Sequence, residues 1–277
     1  MNWLTIARRD FTDARRSKIL ALAIGLFVAL VAVVLGTSST SGPDASENAL
    51  WTIHGIAIWL MPIVILVIGY LSIAGERETG RIKYLLGLPN TRWEVILGKF
   101  LSRSVVSVLA VVLSMGIGGI LLLALYPSFP VGKLAAMTAA MAVFAVVYTA
   151  IAVGVSALTA SRARAMGSVI GIYVFFTVYW IVPQVNPINS ISYVVENLLG
   201  LPEQENLYEF IFHLSPSFAY SRLVNGTIFE RVENGATLPG TDAPFYLQEW
   251  FMPFILLGWV VLMLGVGYLR FRDAELG

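Results

Sequence analysis

The sequence contains no cysteine, and this absence removes several kinds of chemistry. A chain without thiols has no disulfide framework, thiolate nucleophile, iron–sulfur cluster or cysteine–zinc site. Histidine is nearly absent too, because only His54 and His213 occur and they lie far apart in the sequence. We therefore expect neither a metal site nor catalytic residues in this chain.

Charge is also scarce, since 13% of the 277 residues are charged and 57% are hydrophobic. Soluble domains carry about 25% charged residues, so this composition argues against a soluble enzyme. The predicted fold is an all-α polytopic membrane protein, with residues 1–277 forming a single transmembrane domain. Six apolar segments without Asp, Glu, Lys or Arg are long enough, or nearly so, to be transmembrane helices. They are residues 19–36, 51–74, 104–126, 134–160, 167–182 and 251–269.

The connections between these segments carry very different numbers of basic residues. Alternate connections hold 15 and 3 of the 18 Lys and Arg residues. Because Lys and Arg concentrate on the cytoplasmic side of membrane proteins, we expect a multi-pass protein of the cell membrane with both termini in the cytoplasm. The lipid bilayer is then an expected partner, and nucleic acid is not.

Ionisable side chains are absent from the apolar segments, apart from His54 near an outer end. Ion-coupled transporters usually carry such groups, because burying them is costly and they appear where they function. His54 is either an interfacial hydrogen-bonding residue or a coupling or copper-ligating residue. A phosphate-binding loop is absent as well, since Gly98 and Lys99 are followed by Phe100. Energy for uphill transport would therefore come from a partner, and we expect no cofactor in this chain.

The loop at residues 75–103 is the most informative segment of the sequence. Gly80 and Gly87 bracket a predicted short helix, Arg81–Leu86, and Leu88, Pro89 and Asn90 form a turn. The loop combines an apolar helix face with six basic residues. Such a loop serves either as a docking surface or as an anchor to anionic lipid headgroups. The apolar face consists of Ile82, Leu85 and Leu86.

A second helix follows this turn and continues into the third apolar segment. Thr91 stands at its predicted N-cap, and Glu94 follows three residues later. This spacing is typical of a capping box, in which the two side chains satisfy each other's backbone N–H groups. We therefore predict a compact helix–turn–helix at the inner membrane surface.

The loop contains three motifs, namely Gly75-Glu76-Arg77-Glu78-Thr79-Gly80, Leu85-Leu86-Gly87-Leu88-Pro89 and Leu97-Gly98-Lys99. Together they resemble the corresponding loop of ABC-2 type transporter permeases. The sequence differs from that pattern at Arg81, where a small residue or threonine often stands. The resemblance extends to the six-segment layout, and it is greatest to the short permeases grouped with the one that serves nitrous-oxide-reductase maturation.

The resemblance implies a coupling role for this loop. The pathway would be formed by two permease subunits, this chain and a second copy of it. Two ATP-binding subunits would bind ATP and magnesium. The loop would sit in a cleft of the ATP-binding subunit. Lys99 has an alternative role as a side chain that extends to lipid headgroups. The implied ATPase-coupling residues are Glu76, Arg77, Glu78, Gly80, Arg81, Ile82, Leu85, Leu86, Leu88, Pro89 and Lys99.

Residues 1–18 have the pattern of an amphipathic helix lying in the membrane interface. Trp3, Leu4 and Phe11 share its apolar stripe, and arginine residues flank it. The resemblance further implies that this interface helix contacts the ATP-binding subunit.

Residues 183–250 form a long outer segment that is too apolar for a disordered loop. We predict short interfacial or re-entrant helices at residues 189–199, 205–214 and 217–223, which in the resembled family cap the pathway. Asn225, Gly226 and Thr227 match a glycosylation sequon, either used or matched by chance.

We therefore expect a membrane subunit of an ATP-driven ABC-2 exporter, working as a dimer. Two alternatives stay open at this point. One is an ATP-independent secondary transporter or channel, and the other is a membrane assembly factor that transports nothing.

Overall fold

A computed structural model describes residues 3–15, 18–38, 40–42, 44–87, 90–180, 186–230 and 244–274, and the regular elements in those ranges are all helices. The all-α prediction is therefore confirmed. The α-helices are α1 (Trp3–Arg15), α2 (Lys18–Thr37), α3 (Ala45–Gly69), α4 (Ala74–Glu78), α5 (Arg81–Leu86), α6 (Arg92–Leu125), α7 (Val131–Leu158), α8 (Arg162–Tyr173), α9 (Pro187–Ser192), α10 (Glu205–His213), α11 (Pro216–Val224) and α12 (Met252–Arg272). Three π-helical turns (Val174–Tyr179, Tyr193–Leu198, Asn225–Phe229) and two 3₁₀ turns (Phe245–Leu247, Glu249–Phe251) complete the list.

Four of these helical stretches are long and apolar enough to cross a membrane. They are Ala45–Glu78, Arg92–Leu125, Val131–Leu158 and Glu249–Arg272. The first apolar segment of the sequence corresponds to α2, whose apolar helical stretch Ala21–Thr37 is shorter. The fifth segment corresponds to the end of α8 and the π-helical turn that follows it. The chain is thus a multi-pass membrane protein, and the number of six spans stays a prediction.

The first of two units comprises Met1–Val169 and Trp259–Gly277. Its centre is α6, which packs against α1, α2 and α7, while α7 also packs against α3. The small side chains of α7 let its neighbours come close. A methyl group added at Gly154 would lie 2.4 Å from the carbonyl oxygen of Met263, so α7 and α12 meet almost backbone to backbone.

The second unit comprises Ile170–Gly258 and contains the three π-helical turns. The bounds of its helices α9, α10 and α11 are close to those of the three short helices predicted from the sequence. Trp180 Nε1 donates a hydrogen bond to the carbonyl oxygen of Phe212 at 3.0 Å, and Ser215 Oγ donates to that of Phe176 at 2.8 Å. These bonds fix the π-helical turn at residues 174–179 against α10 and the start of α11.

The possible glycosylation site lies inside this second unit. Asn225 is buried, and its side-chain amide donates a hydrogen bond to Ser221 Oγ at 3.2 Å. A glycan on that nitrogen would have no room in the folded chain. The sequon is therefore a chance match in this fold.

Candidate coupling site

The loop between α3 and α6 begins with a short helix anchored in the core. Oγ of Ser156, on α7, accepts hydrogen bonds from the backbone N–H groups of Ile73 and Ala74, both at 2.9 Å. Ser156 is completely buried. It therefore satisfies two donors at the start of α4 that the helix itself leaves unpaired.

Gly80 then reverses the chain before α5. Its backbone has φ +71°, in the left-handed region where glycine is favoured over residues with a side chain. The helix α5 follows over Arg81–Leu86, as predicted, and Asn90 Nδ2 donates to the carbonyl oxygen of Leu85 at 3.0 Å just beyond its end. Leu88 and Pro89, both predicted coupling residues, lie outside the described residues.

The apolar face of α5 points into the chain's own core. Ile82 is 1% exposed and belongs to a buried cluster with Ile6, Ile96 and Phe271. The half-buried Leu85 and Leu86 pack against the same cluster. The three residues that the sequence predicts as a docking face for a partner thus hold α5 in place, because a six-residue helix needs a core contact to be stable.

The opposite face of α5 is exposed. Arg81, Lys83 and Tyr84 lie on it, and Tyr84 is 83% exposed. A groove of about 410 Å³ runs between this helix and α1. Arg9 and Asp13 line its α1 side, and Arg81, Tyr84 and Leu85 line the other. The groove reaches inward to Asp10, Glu76 and Lys99.

Lys99 is the centre of a buried ion cluster. Its Nζ lies 2.7 Å from Oδ1 of Asp10 and 2.5 Å from Oε1 of Glu76. Arg103 Nε lies 3.1 Å from Oδ2 of Asp10. Burial alone would raise the pKa of Asp10, but the charges of Lys99 and Arg103 and the hydrogen bond from Lys99 hold it below its ordinary value. The cluster joins α1, α4 and α6.

The position of Lys99 distinguishes between the two roles that its sequence context indicates, namely ATPase coupling and contact with lipid headgroups. Only 5% of its side chain is exposed, and its ammonium group is surrounded by carboxylates. A lysine that extends to lipid headgroups keeps its charge in water. The geometry therefore favours a role for Lys99 inside the coupling region.

Arg77 and Glu78 make contacts of their own. Arg77 Nη1 donates to the carbonyl oxygens of Thr159 at 3.1 Å and Ala157 at 3.3 Å, beyond and at the end of α7. Glu78 pairs with Arg162, whose Nε lies 3.7 Å from its Oε1. The Glu-Arg-Glu sequence at positions 76–78 therefore ties the loop to α6, the end of α7 and the start of α8.

The capping box at the start of α6 has the geometry predicted from its sequence. Thr91 Oγ1 accepts from the backbone N–H of Glu94 at 3.2 Å, and Glu94 Oε2 accepts from that of Thr91 at 2.7 Å. The loop is thus held at both ends, by Ser156 at the start of α4 and by the capping box at the start of α6.

Helix α1, which the sequence predicts to lie in the membrane interface, is attached to α6 more closely than its pattern indicated. Ile6 and Asp10, spaced by four, face α6 and are buried. A methyl group added at Gly98 would lie 2.8 Å from the Ile6 side chain and 3.0 Å from the carbonyl oxygen of Trp3. Trp3 and Phe11 are half-buried, while Leu4 is 54% exposed.

Ile6 and Asp10 were not predicted to be buried, because the apolar stripe of Trp3, Leu4 and Phe11 indicated a different face of α1. The four-residue spacing of Ile6 and Asp10 shows that they share one face of α1, but it does not show which helix that face contacts. Among the described residues, no group of three or more His, Asp or Glu side chains is placed to hold a metal ion.

Comparisons with known proteins give matches that cover nearly the whole length of this chain. The sequence matches the family model of ABC-2 family transporter proteins over residues 4–276. It is 26% identical over 278 residues to the "Probable ABC transporter permease protein NosY" of Pseudomonas aeruginosa, covering 97% of this chain and 98% of that protein. It is 27% identical over 286 residues to a protein of the same name from Stutzerimonas stutzeri, covering 96% of each chain.

Proposed function

This chain belongs to the ABC-2 family of transporter proteins, and we propose on that premise that it couples ATP hydrolysis on separate subunits to export. It is a multi-pass membrane subunit of an ABC transporter. In the proposal two copies of the chain form the pathway, both termini lie in the cytoplasm, and one ATP-binding subunit docks under each copy.

One observation carries the proposal, namely the attachment of α5. The helix α5 begins at the Gly80 turn and packs its apolar side on the core. The preceding helix α4 is joined to α1 and α6 because its Glu76 pairs with Lys99, which also pairs with Asp10. A force applied to α5 therefore reaches two long apolar helices, α3 through α4 and α6 through the ion cluster. This arrangement suits the transfer of movement from a cytoplasmic motor to membrane helices.

ATP and magnesium would bind on the partner, since this sequence has no phosphate-binding loop. The absence of carboxylates from the apolar segments supports an external energy source over ion coupling. Export, as the direction of transport, follows from the family resemblance and is part of the proposal.

The test begins with affinity purification of the tagged chain from its native membranes in mild detergent. We expect an ATP-binding subunit to co-purify, and we expect its ATP hydrolysis in lipid vesicles to differ from that of the isolated subunit. Failure to recover any ATP-binding chain would favour the ATP-independent transporter. A bound subunit with unchanged hydrolysis would favour the assembly factor.

A further inference from the structure

A second pocket, of about 250 Å³, lies between α4, α6 and the start of α8. It shares Glu76, Arg81 and Lys99 with the groove beside α1, but its charge is different. The groove is lined by three cations and three carboxylates, whereas four cations and a single carboxylate line the pocket. The cations of the pocket are Arg81, Lys99, Arg103 and Arg162, and its carboxylate is Glu76.

The ion pairs around this pocket leave one cation over. Three of the four cations pair with a total of three carboxylates. Arg81 is exposed and has no ion pair with any residue in the described ranges. The surplus charge is a feature of this sequence, since the resembled permeases often have a small residue or threonine at that position. The pairs are Lys99 with Asp10 and Glu76, Arg103 with Asp10, and Arg162 with Glu78.

The pocket also contains a hydroxyl group without a partner. Ser72 lines it and is 3% exposed, and its Oγ has no hydrogen-bond partner in the part of the chain that the structure describes. A buried hydroxyl left in this way is costly, and an acceptor inside the pocket would remove the cost. Arg103 has spare capacity as well, because its two Nη bonds, to the Ile68 carbonyl oxygen and to Asp10, are long at 3.5 Å and 3.4 Å.

The pocket lies where apolar sequence gives way to charge. Leu71 and Ser72 belong to the end of the second apolar segment, and Arg103 directly precedes the third. Both segments lie in helical stretches that are long and apolar enough to cross a membrane. This boundary is the level of the lipid headgroups, and basic pockets between membrane helices bind anionic headgroups there.

We propose that this pocket binds a phosphate anion, namely the phosphate of an anionic phospholipid. Arg81 and Arg103 would donate charge-assisted hydrogen bonds to its oxygens, and the Ser72 hydroxyl would donate another. The acyl chains would leave past Leu71, which is half-buried at the edge of the apolar segment. A phosphodiester carries one negative charge, which neutralises the one positive charge left over. The inference goes beyond ATP coupling and does not depend on it.

The experiment measures lipid binding to the purified full chain in detergent by native mass spectrometry, after co-purified lipid has been washed out. The probes are dioleoylphosphatidylglycerol, which has a net negative charge, and dioleoylphosphatidylcholine, which has none. We expect the wild type to bind phosphatidylglycerol about fivefold more tightly, because one unpaired arginine faces the headgroup. Arg81→Thr should remove this preference.

Ser72→Ala tests the contact with the phosphate itself. Because both lipids contain that group, the variant should bind each of them about fivefold more weakly. Its thermal unfolding midpoint should equal or exceed that of the wild type, since the hydroxyl that it loses has no partner within the described chain. This combination of weaker binding and unchanged stability separates a ligand contact from a structural role.

Two matched controls lie close to the pocket without lining it. Ser104 is 7% exposed and its Oγ likewise has no partner among the described residues, so Ser104→Ala should leave lipid affinity unchanged. Arg164 is an exposed arginine of α8, so Arg164→Gln should leave the preference for phosphatidylglycerol unchanged.

The outcomes decide both the site and the source of the phosphate. If Ser72→Ala binds both lipids as the wild type does, the pocket is wrong. If Arg164→Gln loses as much preference as Arg81→Thr, the basic surface attracts anionic lipid without a site, and the inference is overturned. A separate arm titrates inorganic phosphate alone by calorimetry. If phosphate binds in a Ser72-dependent way while the two lipids bind equally, the pocket takes free phosphate and the lipid source is overturned.

Discussion

Lys99 and Arg222 are both buried cations with two carboxylates nearby, yet their geometries differ. Lys99 lies within 2.7 Å of both of its partners. Arg222 is 3.9 Å from Glu209 and from Glu249, and its Nε and Nη2 have no hydrogen-bond partner in the described part of the chain. A buried ion pair offsets its desolvation only when hydrogen bonds satisfy the groups. The short contacts of Lys99 therefore fix the helices that they join, whereas the longer contacts of Arg222 leave the elements around it freer to move.

The backbone around the two cations shows the same contrast. Lys99 joins α-helices in the first unit. Arg222 lies on α11, which continues directly into the π-helical turn Asn225–Phe229. π-helical turns are rare and occur often at functional sites. We infer that the coupling region is built for rigidity and that the outer segment accommodates change.

Replacing each cation by methionine tests this comparison, with the largest expected effect. Lys99→Met leaves Asp10 buried and short of its closest cation, so we expect a loss of about 3–5 kcal/mol in the free energy of unfolding. Arg222→Met should cost less, about 1 kcal/mol, because Glu209 and Glu249 are 32% and 22% exposed and keep some hydration. Thermal unfolding in detergent, monitored by size-exclusion chromatography, measures the stability of both variants.

Lys83→Met is the matched control for this pair. Lys83 is exposed on α5 and contributes no core contact, so its replacement should change stability by less than about 0.5 kcal/mol. Equal losses for Lys99→Met and Arg222→Met would mean that the 3.9 Å pairs are as strong as the short ones, and the contrast would fail.

Acid provides a second test, because the two regions titrate in different ranges. Burial is the main reason that the pKa of His213 falls from 6.5 to about 4. The hydrogen bond to the Glu209 carbonyl opposes this shift, and the charge of Arg222 adds to it. Between these values the unfolded chain binds a proton and the folded chain does not. Stability should therefore fall as the pH drops from 6.5 towards 4, by about 3 kcal/mol at most.

Asp10 behaves differently in the same range. Its folded pKa is below 3.8, so the stability it contributes is present above that pH and is lost only as the pH falls through the folded value. Unfolding midpoints at pH 7.5, 6.5, 5.5 and 4.5 should thus decline in the wild type and decline less in His213→Gln. A decline of the same size in both proteins would remove His213 as its source.

The sequence predicted local features well and distant contacts poorly. The capping box of Thr91 and Glu94 and the bounds of α5 follow from neighbouring residues, and both are present. The Lys99–Asp10 contact joins residues 89 positions apart, and nothing in either neighbourhood announces it. The amphipathic pattern of α5 shows which side is apolar, but whether that side covers the chain's own core or a partner depends on tertiary structure.

A smaller effect than that of Lys99→Met is expected at two glycines, one in each of these regions. Alanine at Gly98 would meet the Ile6 side chain at 2.8 Å and the Trp3 carbonyl oxygen at 3.0 Å, so α1 must move away from α6. Alanine at Gly226 would lie closer still, 2.1 Å from Cγ of Glu249, but rotation of this one side chain about its first torsion can relieve the clash without moving a helix. We expect losses of about 1–3 kcal/mol for Gly98→Ala and less than about 1 kcal/mol for Gly226→Ala.

Gly116→Ala serves as the control within the same helix as Gly98. A methyl group there meets nothing within 4 Å, so the greater helix propensity of alanine should leave stability equal or slightly raised. Thermal unfolding of the three variants ranks them directly. If Gly226→Ala is the more damaging change despite the freedom of Glu249, the outer segment is the more rigid of the two, and the ion-pair distances do not report which region can move.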